Sequence, residues 1–413
     1  MLPRASAAAP RGAAPSSAAS PGASLGASDL AAARLRAVHR AATDLRRGIP
    51  VVLEGDPPLL LLAAETASPA GLDEFARLAP APPVLLLAPV RAAAVLRRPT
   101  GPAGGPPVAL ALPGPLLTQD ALARLADPVL DQVLPAVPEA VAAPAGAPAA
   151  LALAKLARLL PAVLAAPLPA PVQAPGQTPG QALGGILSGG ILPEGILPGG
   201  ILSVPAADVL AYRPGAAASL RRLTEAQVPL SAAPDARIII FRPADGGTEH
   251  LAILVGTPEA EDAPLVRLHS ECFTGDLLDS LRCDCGAQLR GAIARMAAEG
   301  AGVLLYLAQE GRGIGLASKL RAYTLQDRGL DTLDANRALG WEADERNFML
   351  AATMLESLGV RRIRLLTNNP DKLNALVACG IDVVGREPHA FAPNGVNDAY
   401  LATKARRFGH LLG

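Results

Sequence analysis

Apolar residues from 29 to 47 recur at helical spacing (Leu30, Leu35, Val38, Ala41, Leu45), and Gly48 with Pro50 stops the run, which predicts an opening helix. A strand over 51–54 follows, and apolar runs over 59–64 and 84–87, broken by prolines, predict a modest α/β unit that closes near Leu130. A second unit starts near Leu220 with sharper punctuation. Strands are predicted over 236–242, 250–255 and 265–269, and helices over 286–299, 316–328 and 344–358. Each helix runs into a glycine (Gly300, Gly329, Gly359), the residue that takes the left-handed conformation past a helix end. Continuous apolar runs over 303–307 and 363–367 read as buried strands, each followed by a polar loop and a helix start. The predicted class is α/β (mixed α+β), with ligand-holding loops at strand C-termini.

Between about Pro135 and Pro205 the chain turns Ala/Pro/Gly-rich, and over 184–202 it repeats GGIL, GGIL, EGIL, GGIL, each separated by Ser or Pro. A five-residue period fits neither a helix nor a strand face, so the tract reads as linker without chemistry; alternatively its Ile-Leu pairs dock on a neighbouring surface. Before Asp29, the first acidic residue, lie Arg4, Arg11 and many Ala and Ser. That is the composition of a disordered terminus or of an organellar transit peptide. Four segments follow: a low-complexity start (1–28), a first α/β unit (29–134), a linker (135–215) and a second unit (216–413) that carries all the candidate chemistry. A chain cut near Ala216 is expected to keep that chemistry.

The 413 residues suit two or three domains. Formal net charge is zero, so no global basic field holds nucleic acid, and an anionic ligand must be held by a local site. Arginine dominates the basic residues, with lysine only at 155, 319, 372 and 404, which reads as coding bias and weakens arguments from Ala or Pro content. No stretch gives about 18 uninterrupted apolar residues, so no membrane span is predicted.

Three of the four cysteines fall in Cys272-x10-Cys283-x-Cys285. Such clustering suggests a metal site in a reducing cytoplasm rather than a disulfide framework. Three thiolates suit zinc and leave a fourth tetrahedral position for water, the arrangement of hydrolytic zinc; the alternative is a closed structural site with His269 as fourth ligand. Cys379, at the end of an apolar helix, reads as a buried thiol. Gln309-Glu310-Gly311-Arg312-Gly313-Ile314-Gly315 follows a predicted strand, where glycine backbone can approach an anion and Arg312 can fork onto phosphate, although a plain tight turn looks the same. In Thr367-Asn368-Asn369-Pro370-Asp371-Lys372, Asn369 reads as helix cap and Pro370 as first helical residue, leaving Thr367 and Lys372 to face an anion. Asp344-Glu345-Arg346 reads as a generic acidic helix start.

Taken in order, RLHSECFTGDLLDSLRCDCG, QEGRGIGL, RAYTLQD, TLDANRALGWEADERNF and TNNPDK resemble the GTP cyclohydrolase II family from about Leu220 to Leu412. The resemblance implies a mixed α/β homodimer that opens the imidazole ring of GTP for riboflavin biosynthesis, releasing formate and pyrophosphate. It implies one zinc ion per subunit on Cys272, Cys283 and Cys285, and magnesium with the nucleotide. By matching position, Arg267, Leu268, His269, Ser270, Glu271, Gln288, Glu310, Gly311, Arg312, Thr332, Thr367 and Lys372 border bound GTP. Asp344 matches the proton acceptor, Arg346 the proposed nucleophile, and Tyr323 an active-site tyrosine. A guanidinium stays protonated and is a poor nucleophile, so transition-state charge stabilisation is the plainer role for Arg346. Ala308 stands where many members have arginine and Ser318 where many have asparagine, departures that bear on nucleotide affinity.

The first unit resembles, more faintly, the dihydroxybutanone phosphate synthase domain often fused ahead of this cyclohydrolase, through AATDLRRGIPVVLEGD. Where that domain needs an acidic magnesium loop this chain has Gly55-Asp56-Pro57-Pro58, and His39 is the only histidine before His250. Without oxygen ligands a divalent ion is not held, so a degenerate, catalytically silent partner is expected. The competing readings are a bifunctional fusion with synthase activity and a non-catalytic zinc or nucleotide-binding module, the latter requiring His269 or Cys379 on the metal.

Overall fold

The structure, a computed structural model, describes residues 26–169, 196–197 and 200–411. Most of the predicted disordered start and of the Gly-Ile-Leu tract therefore lies outside the described residues, while Ala27 and Ser28 already belong to the helix Ala27–Arg46.

Two sheets organise the chain, in keeping with the mixed α/β class. The first contains β1 (Val51–Glu54), β2 (Leu59–Ala63), β3 (Val84–Leu87), β4 (Val108–Ala111), β5 (Glu139–Val141), β6 (Ala162–Pro167), β7 (Ile196–Leu197) and β8 (Ile201–Pro205), in the order β5-β4-β3-β6-β2-β1-β8-β7. β2, β3, β4 and β6 are apolar throughout, and the central ones are covered on both faces, whereas the edge strand β5 is exposed. Val52, Leu60 and Leu62 enter one core, and their neighbours Val51, Leu53, Leu59 and Leu61 another, as the two-residue period of a strand requires.

The predicted linker over 135–215 is corrected here. β6 lies in the middle of the first sheet, paired with both β2 and β3, and the helix Ala147–Leu156 packs beside it. The Ile-Leu pairs 196–197 and 201–202 of the tract pair antiparallel in β7 and β8, and β8 runs parallel to β1. Alanine and proline suggested linker, yet the small side chains of β6 are buried at every position up to Pro167. Small residues let a covered sheet and its helices approach closely, and coding bias hides that signal.

The second sheet contains β9 (Arg221–Gln227), β10 (Arg237–Arg242), β11 (His250–Val255), β12 (Leu265–Ser270), β13 (Gly302–Leu307), β14 (Arg362–Leu366) and β15 (Asp382–Glu387), in the order β15-β14-β12-β13-β11-β10-β9. β9, β10, β11 and β13 pair antiparallel, whereas β12 pairs parallel with β13 and β14. The parallel strands end together, so the loops after β12, β13 and β14 meet at one edge. The glycines predicted to end helices, Gly300, Gly329 and Gly359, all have positive φ.

One predicted helix starts late. The run over 344–358 is helical only as Met349–Ser357. Asp344 Oδ1 accepts the amide of Arg346 at 3.0 Å, and the amide of Glu345 donates to Arg312 O at 3.0 Å, so these residues form a loop rather than a helical turn.

The boundary near 216 is also corrected. Ala206–Ala218 is a helix that contacts Ala27–Arg46, Ala147–Leu156 and Met349–Ser357. Ile314, Ala322, Leu325, Ala335, Leu339 and Trp341 are buried in the same core as the leucines of the first sheet. Arg321 reaches Glu65 at 2.8 Å and Asp127 at 2.7 Å across the junction. Among the described residues, no helix is long and apolar enough to cross a membrane.

Candidate active site

Cys272 stands two residues past the end of β12, Cys285 is the first residue of the helix Cys285–Glu299, and Cys283 lies just before it. A single turn, Phe273–Asp276, folds the chain back so that the three Sγ atoms lie within 4.8 Å of one another, Cys272 and Cys283 at 3.8 Å. Zinc bound to sulfur at about 2.3 Å in a tetrahedron sets sulfurs about 3.8 Å apart, so the cluster has the size of a zinc site. Gly275 makes room for it: a Cβ there would stand 2.7 Å from Cys283 Sγ and 3.1 Å from Cys272 Sγ.

Lys319 closes one side of the cluster. Its Nζ lies 3.1 Å from Cys272 Sγ, 3.0 Å from Thr274 Oγ1 and 2.8 Å from Glu310 Oε1. Hydrogen bonds from the other two thiols, with Lys319 alongside, hold the Cys272 thiol far below its ordinary range. Glu310 Oε2 also accepts the amide of Phe273 at 2.6 Å, which links the loop after β13 to the cysteine turn.

His269 is otherwise engaged. Its Nε2 meets Asp276 Oδ1 at 3.0 Å, its ring stacks on Tyr306, and the Tyr306 hydroxyl donates to the same carboxylate. Cys379 lies half-buried against the core of the second sheet, less enclosed than expected. Among the described residues, no fourth His, Cys, Asp or Glu joins the thiol group.

Beside the cysteines the cavity is cationic. Lys372 is buried, its Nζ donating to Leu268 O at 2.7 Å, and burial, then Arg267 and Arg346, push its pKa well below the ordinary value. Arg267 donates to Leu366 O at 2.9 Å and to Gln288, while its Nε has no hydrogen-bond partner; burial lowers its pKa to about 10. Arg312 lies in a turn where Gly311, Arg312 and Gly313 all have positive φ. That geometry is why glycines flank it, and at Gly313 a Cβ would come within 2.7 Å of Glu345 O. The Arg312 guanidinium lies over the Phe408 ring at 3.7 Å, and its buried Nη1 has no hydrogen-bond partner. Burial, with neighbouring cations, lowers the pKa of Lys372, Arg267 and Arg312.

Most residues singled out from the sequence line this one cavity: Arg267, His269, Ser270, Glu271, Gln288, Glu310, Gly311, Arg312, Tyr323, Thr332, Arg346, Thr367, Lys372 and the three cysteines. Leu268 and Asp344 do not. The Leu268 side chain is packed in the core and only its carbonyl serves the site, and Asp344 pairs with Arg346 from behind. Asn369 caps the helix Pro370–Ala378, its Oδ1 accepting the amide of Asp371 at 3.0 Å.

Lys319, Asn336, Tyr400, Lys404 and His410 also line the cavity and were not singled out. A signal for the lysines was present. In a chain biased towards arginine, three of the four lysines line the cavity, and the fourth, Lys155, bonds Glu345 next to Arg346.

The profile of the family described as GTP cyclohydrolase II matches residues 221–388. Over 195 residues the chain is 49% identical to GTP cyclohydrolase-2 of Actinobacillus succinogenes, covering 47% of this chain and 89% of that protein. The chain belongs to the GTP cyclohydrolase II family. GTP cyclohydrolase-2 of Azospirillum brasilense is 62% identical over 211 residues, 51% of this chain and 55% of that protein, so the chain spans about half the length of that relative. The cyclohydrolase match holds every cysteine of the thiol group and ends before Tyr400, Lys404 and His410. Among solved structures, a two-domain 3,4-dihydroxy-2-butanone 4-phosphate synthase from A. baumannii aligns over 86% of this chain and 99% of its own, at a TM-score of 0.28 and 18% identity.

Proposed function

We propose that this chain hydrolyses GTP to 2,5-diamino-6-(5-phosphoribosylamino)pyrimidin-4-one, formate and pyrophosphate, as a riboflavin-pathway enzyme. The observation that carries the reading is one cavity joining a zinc-sized cysteine triad to Arg267, Arg312, Arg346 and Lys372. A hydrolytic metal beside a polyanion pocket fits a nucleoside triphosphate opened at its base.

Cys272, Cys283 and Cys285 would hold zinc, which when bound supplies a Lewis acid with one open position for hydrolysis. The chain's own residues do the rest. Lys372, Arg267 and Arg312 bind phosphate oxygens, sharing their charge with magnesium brought by the nucleotide. Ser270, Glu271, Gln288, Thr332 and Tyr323 line the space left for the purine and ribose. Arg346, held by Asp344, stabilises charge on the pyrophosphate as it leaves. The chain acts as a homodimer in the cytoplasm. Exposed Leu277, Leu278 and Leu281 beside the cysteines make an apolar surface suited to cover by a second subunit. The first unit carries no synthase chemistry, and incubation with ribulose 5-phosphate and magnesium should yield no dihydroxybutanone phosphate.

The test is ultraviolet monitoring of GTP with purified full-length protein, zinc and magnesium, together with a formate assay. Formate should appear in step with loss of the purine spectrum. Bound GTP with an unchanged spectrum would favour a non-catalytic nucleotide-binding module.

A further inference from the structure

The loop that carries Arg346 is fastened by residues outside the matched family segment. Within it, Asp344 and Arg346 pair with each other, while Glu345 and Asn347 face the first half of the chain. The Glu345 side chain is 6% exposed. Its Oε1 accepts from Lys155 Nζ at 2.6 Å and its Oε2 from Arg213 Nη2 at 2.8 Å. Arg213 Nη1 also donates to Glu345 O at 3.1 Å, and Arg213 O accepts from Asn347 Nδ2 at 3.0 Å, so one arginine holds both residues flanking Arg346. Lys155 comes from the helix Ala147–Leu156 and Arg213 from the helix Ala206–Ala218.

We propose that Lys155 and Arg213 are positioning residues: by clamping Glu345 they fix the place of Arg346 in the cavity, and the first half of the chain thereby serves the reaction. This rests on the catalytic reading of Arg346. The Asp344–Arg346 pair joins residues two apart on one loop, so it moves with that loop and cannot set its position relative to Lys372 or the cysteines. The Glu345 anchor can. A carboxylate this buried is tolerated only with its cations in place, and with both removed it would draw the loop towards water. The same loop supports the phosphate turn, because the Glu345 amide donates to Arg312 O and the Asn347 amide to Gln309 Oε1.

The experiment compares full-length, zinc-loaded protein with Lys155→Met, with the double variant Lys155→Met/Arg213→Met and with Lys155→Arg. Its readouts are kcat and KM for GTP, zinc content, and hydrogen exchange of the 342–347 amides. The double variant should lose between about 10- and 100-fold in kcat, as small displacements of a catalytic group do, with a smaller rise in KM because the loop also supports the phosphate turn. Zinc content should hold, exchange should quicken over 342–347 but not in β12 or β13, and Lys155→Arg should restore most of the rate. If the double variant does not fold, Lys155→Met alone should show the same pattern with a smaller loss. Unchanged kcat and loop exchange would overturn the proposal, and so would a rate loss accompanied by faster exchange across the whole chain. Should the parent protein release no formate from GTP, the proposed activity fails, while the exchange measurement still decides whether the clamp orders the loop.

Discussion

Arg346 meets Asp344 through its Nε, 2.8 Å from Oδ1 and 3.0 Å from Oδ2, with Nη2 on the same carboxylate. Burial by itself would raise the Asp344 pKa, but the bonds from Arg346 hold it below the ordinary carboxylate range. On the proposed function, a guanidinium gripped by both carboxylate oxygens suits charge stabilisation on the departing pyrophosphate.

Arg346→Lys keeps the charge and removes the planar fork that grips both carboxylate oxygens. Loss of one preorganised transition-state contact typically costs about 10²–10³ in rate, so kcat for GTP should fall in that range with zinc content unchanged. Near-normal turnover would show that only the charge matters.

Cys283→Ser removes one of three soft ligands from a cluster already sized for zinc. Zinc measured by mass spectrometry and formate release should fall together to background. A variant that keeps its metal and its formate release would separate the thiol group from the chemistry.

Lys372 provides a pH test. Burial, Arg267 and Arg346 hold its pKa well below the ordinary value in the free protein, and a phosphate anion opposes all three. Between the depressed free value and the raised bound value the complex holds more protons than its parts. Binding of inorganic pyrophosphate should therefore take up a proton and weaken as pH rises through that window. Calorimetry in buffers of different ionisation enthalpy measures the uptake, and Lys372→Met should remove this contribution. Identical uptake in the variant would assign the proton elsewhere.

A chain beginning at Ala216, expected from the sequence to keep its chemistry, should instead be insoluble or inactive. The cut deletes Lys155 and Arg213 and strips the cover from Leu325, Leu339 and Trp341, which share a core with the first sheet. Trp341 is 2% exposed, and a patch of this kind left open promotes aggregation. Soluble, active protein would mean the two halves fold independently, and size-exclusion chromatography with the formate assay distinguishes these outcomes.

What the chain revealed unaided was local or motif-borne. Strand runs such as 51–54 and 250–255, the glycine stops at 300, 329 and 359, the Asn369 cap and the cysteine spacing each depend on residues close in sequence, where period and backbone preference act directly. Tertiary structure decided the rest. β6 and β8 were hidden by the Ala/Pro/Gly-rich stretch around them, because only the neighbouring strands show that they are paired and covered. The 344–346 segment looked like a helix start and became a loop in which the Glu345 amide donates to Arg312 O and the Glu345 side chain reaches Lys155, 190 positions away. Lys404 and His410 reach the cavity only when the helix Asp398–Phe408 packs against it. Local spacing thus names residue types and elements, whereas the partner of a buried charge is chosen by distances that exist only after the chain has folded.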